Sequence, residues 1–72
     1  MTVELLQKKF PPGTRIKMIE HRNGEKEFFG VKPGDRGTVK EIDPFFKTII
    51  VDWDNGSNLD LVFGSDRFSI VT

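Results

Sequence analysis

Cysteine is absent from the sequence, and histidine occurs once, as His21. Without thiols no disulfide can staple the fold, and one histidine cannot supply the usual Cys and His set of a structural zinc site. The lack of cysteine fits a reducing compartment. The first residues lack the long apolar run and small-residue cleavage site of a secretory signal. No apolar run approaches the roughly 20 residues that span a bilayer. Together these absences predict a cytoplasmic protein without a membrane partner.

Net charge is lacking too. Eleven basic residues balance eleven acidic ones, which removes the simplest argument for nucleic acid. The signs are unevenly distributed, however. Residues 1–40 hold nine Lys and Arg against five Asp and Glu, and residues 41–72 hold two against six. Either one side of the surface is basic, or the two halves pair up in the fold. Catalytic equipment is equally sparse. Nucleophilic catalysis needs an activated side chain beside a base, and His21 lies in a charged stretch that reads as an exposed loop. Asp52, Asp54 and Asp60 cluster around a turn, but Asp52–Gly56 opens an EF-hand pattern that fails further on: Ser57 stands where glycine is required and Phe63 where glutamate is. No phosphate-binding glycine loop is present. The expectation is a non-catalytic protein with no metal and no cofactor.

What the sequence does have is aromatic bulk. Seven Phe and Trp53 supply the large pieces of a core, and 72 residues make one domain, 1–72. Residues 2–10 read as a short helix, capped by Thr2, with Val3, Leu6 and Phe10 on one face. Pro11-Pro12 ends it. A helix so short is unstable alone and needs its apolar face docked, across one opening of the barrel; the alternatives are that it frays or serves a dimer, and a monomer is expected. From residue 13 onward the period changes to that of strands. Arg15–Met18 alternates; Thr38–Ile42 forms a second strand in which Val39 and Ile42 differ in parity, so that it bulges or turns one of them to solvent. In Thr48–Trp53 the side chains of Ile49, Val51 and Trp53 share an inward face. Asn55-Gly56 predicts a type I′ hairpin, returning through Leu59, Leu61 and Phe63 as inward residues. Phe68–Val71 closes the fold. Five strands, a long loop over 21–34 and glycines at the corners predict a mainly β domain: a small five-stranded antiparallel SH3-like barrel over 13–72 with a short N-terminal helix.

The runs Phe10-Pro11-Pro12-Gly13-Thr14-Arg15, Pro33-Gly34-Asp35-Arg36-Gly37-Thr38-Val39 and Val51-Asp52-Trp53-Asp54-Asn55-Gly56-Ser57 resemble a bacterial family of small domains of unknown function. That family occurs in Gram-positive bacteria, commonly in mobile-element and phage-associated proteins. The resemblance covers residues 10–72 and implies an SH3-like fold without an activity. The loop Glu25–Gly30 departs from the family's usual proline-rich stretch.

Two readings of function follow. Phe28-Phe29 and Phe45-Phe46 each lie in a loop, and neighbouring side chains of an extended segment point opposite ways. At most one of each pair should enter the core. If the two loops meet at one end, the outward rings make an apolar patch suited to a protein or peptide partner; otherwise the rings tuck against the barrel. The alternative is nucleic-acid binding through Lys8, Lys9, Arg15, Lys17, Lys26, Lys32, Arg36 and Lys40, with Phe28 or Phe29 stacking on bases.

Overall fold

The computed structural model describes residues 2–71. Helix α1 spans Val3–Lys9. The strands are β1 (Arg15–Glu20), β2 (Arg36–Ile42), β3 (Thr48–Trp53), β4 (Asp60–Val62) and β5 (Arg67–Ile70). They form one antiparallel sheet in the order β4-β3-β2-β1-β5. Each element follows local chemistry. The Thr2 hydroxyl accepts the Leu5 N–H at 3.2 Å, satisfying one of the orphan donors at the start of α1. The C-cap is Phe10, whose N–H donates back to the Leu6 carbonyl. Leu6 and Phe10 are buried, and Val3 packs beside them, so the helix docks its apolar face as its spacing predicts.

The alternating strands deliver a single core of Ile16, Met18, Val39, Ile42, Ile49, Val51, Trp53, Leu59 and Leu61, joined by Leu6, Phe10 and Val31. The parity conflict in β2 is resolved by a bulge. The register with β3 slips between Val39 and Glu41, which turns both Val39 and Ile42 inward. The Trp53 indole N–H donates to the Leu59 carbonyl at 2.9 Å, so burying the ring leaves no unpaired donor.

Four expectations are corrected. The sheet does not close: β4 and β5 end it, and among the described residues they do not pair, an isolated bridge between Phe63 and Asp66 lying in the turn that joins them. Asn55 does not take positive φ, so Asn55-Gly56 is not a type I′ turn. Its side chain is used elsewhere, accepting from Ser57 N and donating to the Gly30 carbonyl. Positive φ at two successive residues occurs instead at Phe29-Gly30, where Phe28 and Val31 exchange both backbone hydrogen bonds around the turn. His21 is not exposed. It is 2% accessible, its Nε2–H donates to the Val31 carbonyl, and its ring meets the edge of Phe28. Phe63 is not inward; β4 ends at Val62, and the ring turns out to 37% exposure.

Candidate interaction surface

Successive hairpins of an antiparallel sheet turn at alternate ends, so the long loop after β1 and the short loop after β2 lie at opposite ends of β2. Seven residues of strand separate them by about 20 Å. The four candidate phenylalanines therefore form two pairs and no common patch. Phe28 and Phe29 meet with ring centroids 4.5 Å apart. Phe28 is half-buried against His21 and the core, with the Arg22 guanidinium over its face, whereas Phe29 is exposed.

Phe45 and Phe46 both face solvent, at 83% and 72% exposure, with ring centroids 4.9 Å apart. A rigid turn presents them. The Asp43 carboxylate accepts from Phe45 N at 2.8 Å and Phe46 N at 3.1 Å, and Lys47 N closes the turn onto the Asp43 carbonyl. Neither ring enters the core.

Phe46 leads to a larger apolar surface. With Leu6, Val62, Phe63 and the cationic Lys47 it lines a hollow of about 280 Å³. Phe63 also lines a second groove, of about 470 Å³, with Phe10, Ile19, Phe68 and Ile70. This groove runs along β5 beside the turn that follows β4, at the seam where the sheet stays open. Phe10 fills its floor, with ring centroids 5.9 Å from Phe63 and 5.3 Å from Phe68. Lys9 lies over Phe63, its Nζ 5.5 Å from the ring centroid, and Arg67 lines the same groove. Among the described residues neither cation is in an ion pair, although Glu20 is the cross-strand neighbour of Arg67. The result is an aromatic strip from the Phe45-Phe46 turn to β5, with a basic rim.

One end of the seam is built by Asp66. Its buried carboxylate accepts from Val62 N (2.9 Å), Arg22 N (2.8 Å) and Arg22 Nη1 (3.0 Å). The turn after β4 is thereby tied to the start of the long loop, 44 residues earlier in the sequence. Nothing in the local sequence marks this aspartate; its burial follows from the donors that converge on it.

The eight basic candidates divide among α1, the long loop and the outer face of β1 and β2. Lys8 and Lys9 stand on α1, on the core side of the sheet, and Lys26 and Lys32 in the long loop. Lys17 and Arg36 are register partners on the opposite sheet face, with Lys40 at the β2 bulge. Arg15 is engaged: its guanidinium makes two 2.7 Å contacts to the Asp54 carboxylate and a third, of 3.0 Å, to the Thr38 hydroxyl. This pair and Arg22–Asp66 each join a cation of the first half of the chain to an anion of the second, so part of the charge asymmetry is cancelled by folding.

The hydrogen bond from Arg15 holds the Asp54 carboxyl below its ordinary value; desolvation opposes this, and the charges of Arg15 and Arg36 reinforce it. A carboxyl depressed by folding stabilises the fold above its unfolded value, and that contribution is lost as pH falls through the folded one. Wild type should therefore exceed Asp54→Asn in stability at neutral pH, and the gap should shrink below the ordinary carboxylate range. Urea midpoints across acidic pH check this; a gap independent of pH would refute it.

Residues 1–71 match the family described as a domain of unknown function (DUF4314), and the chain belongs to that family. No curated protein and no solved structure matches it.

Proposed function

We propose that the chain is a non-catalytic protein-interaction module, an SH3-like barrel left open, and that it binds its partner along the seam between β4 and β5. The observation that carries this reading is the continuity of Phe46, Phe63, Phe68 and Ile70 across two hollows that share Phe63, with the Phe45 ring against Phe46. Monomeric proteins seldom leave a contiguous apolar strip in water, and aromatic residues are enriched where partners dock. The strip is presented by rigid parts: a hydrogen-bonded turn at one end, the strand β5 at the other, and Phe10 packed beneath. Preorganisation of this kind lowers the cost of binding. The phenylalanines of the long loop stand apart from the strip.

Titrating the isotope-labelled chain with peptides, followed by amide NMR, tests the reading. Shifts should concentrate at Phe46, Phe63, Phe68 and Ile70, and Phe63→Ser should weaken the peptide that binds by about tenfold or more. Phe45→Ser, on a ring exposed to solvent, should leave the spectrum folded and weaken binding less. Shifts confined to Phe28 and Phe29 would move the surface to the other end of β2 and defeat the proposal.

A further inference from the structure

We propose, resting on the seam as the docking surface, that the occupant is an extended acidic–apolar peptide segment of another protein, added as a further strand along the free edge of β5. In an antiparallel ladder alternate residues direct their backbone groups to alternate sides. Val71 N donates to the Arg15 carbonyl at 2.9 Å. Residues of that parity, Ser69 among them, spend their backbone groups on β1. Phe68 and Ile70, opposite Met18 and Ile16, direct theirs away from β1, to an edge where no described strand pairs. These are the two β5 residues whose side chains line the groove with Phe63 and Phe10. A strand laid on this edge would take their N–H and C=O groups and drop every second side chain into the seam, the two components of recognition by strand addition.

The other end of the sheet is already taken. Val62 N donates to the Asp66 carboxylate, and the Val62 carbonyl accepts from Ser65 N at 3.1 Å and Asp66 N at 2.9 Å. At the edge of β4 the backbone groups of Val62 are thus taken by the chain itself. Natural sheets guard an edge with lysine, proline or a covering segment. β5 reads Arg67-Phe68-Ser69-Ile70, with only Arg67 as a guard.

Charge selects the occupant. Lys9 and Arg67 both lie on the groove, without ion pairs among the described residues. A carboxylate flanking the apolar residues of a peptide would meet them. A second copy is disfavoured on the same ground, because pairing β5 with β5 brings two such basic rims together within the length of a four-residue strand.

The test uses the whole chain and the synthetic peptide acetyl-Asp-Val-Thr-Phe-Thr-Val-Asp-amide. Binding should slow hydrogen exchange of the Phe68 and Ile70 amides by about tenfold or more, the peptide with Lys in place of both Asp should bind about tenfold more weakly, and Ile70→Pro should bind about tenfold more weakly than Ile70→Ala. Proline at this position removes an N–H that faces the edge and leaves the β1 ladder intact. Should Ile70→Pro fail to fold, exchange in the wild-type chain decides. Failure of the peptide to bind, or binding with unchanged exchange at Phe68 and Ile70, overturns strand addition. Shifts at Phe63 and Phe68 in the latter case would leave the seam as the interaction surface, whereas undiminished binding by Phe63→Ser would remove the seam itself. Dimerisation of the chain alone, abolished by Ile70→Pro, would assign the edge to a second copy and overturn the proposal as well.

Discussion

Replacing Asp66 by Ala should lower the free energy of unfolding by about 3 kcal/mol, read as a fall in the urea midpoint at neutral pH. The carboxylate side chain is fully buried and serves three donors, two of them backbone N–H groups on separate segments. Alanine leaves the part-buried Val62 and Arg22 amides without their acceptor, and an unmet buried donor costs about 1–3 kcal/mol. The Arg22 guanidinium, about a third exposed, can recover water, so it adds less. A chain of this length is stable by about 4–11 kcal/mol in total, so the loss is a large share. Asp66→Asn should fall between, since it keeps one acceptor oxygen and turns an amide NH₂ toward donors. Arg22→Ala should cost less than either, because both backbone donors keep their acceptor. A loss under about 1 kcal/mol for Asp66→Ala would show that the staple is dispensable.

That staple also explains what was legible in the sequence. Period-2 alternation reads a half-buried strand well, and it placed Ile49, Val51, Trp53, Leu59 and Leu61 inward, where they are. The parity conflict at Val39 and Ile42 left a bulge or an outward residue, and the bulge is what forms. Helix α1 was legible from its cap and its apolar spacing. The long loop was not, because its inward residues obey no period. Val31 and His21 are buried by distant contacts, the His21 ring with the Val31 carbonyl and the Asn55 side chain with the Gly30 carbonyl. The same competition misplaced the tight turn: Asn-Gly is the stronger local signal, but the Asn55 amide reaches Gly30 and accepts from Ser57 instead. Phe63 failed by parity because Asp66 and Ser65 draw the chain into a turn immediately after Val62.

The candidate surface was half legible. An excess of phenylalanine in loops announced exposed apolar area, and Phe29, Phe45 and Phe46 are indeed exposed. Their grouping was not available from composition, because which rings meet depends on the ends at which the hairpins turn and on the failure of β4 to pair with β5. The seam residues Phe63, Phe68 and Ile70 looked like ordinary strand positions. Only the strand order turns them into an edge.

Gly37→Ala should destabilise the fold by about 2–3 kcal/mol, an overpacking cost unrelated to backbone freedom. Gly37 lies within β2, between Ile16 on β1 and Trp53 on β3 in the register of the sheet. Its φ is not positive, so alanine meets no conformational penalty there, and by strand preference alone it should be no worse than glycine. Space decides otherwise. A Cβ at this position would lie 2.6 Å from Val51 Cγ1, 3.0 Å from the Asp52 carbonyl oxygen and 3.1 Å from Trp53 Cε3. The Val51 methyl belongs to a stiff β-branched side chain, the carbonyl is backbone, and the indole is pinned by its hydrogen bond to Leu59. None can yield without displacing β3 from β2. Gly13→Ala provides the contrast: nothing lies within 4 Å of its Cβ, but its φ is +94°, so its cost is one of backbone strain, about 1–2 kcal/mol. Truncating the neighbour separates the two causes. Val51→Ala should recover part of the loss in Gly37→Ala and none in Gly13→Ala, a coupling that a double-mutant cycle measures. Additive effects at Gly37 and Val51 would mean that the close approach of β2 to β3 does not set the packing beneath Trp53.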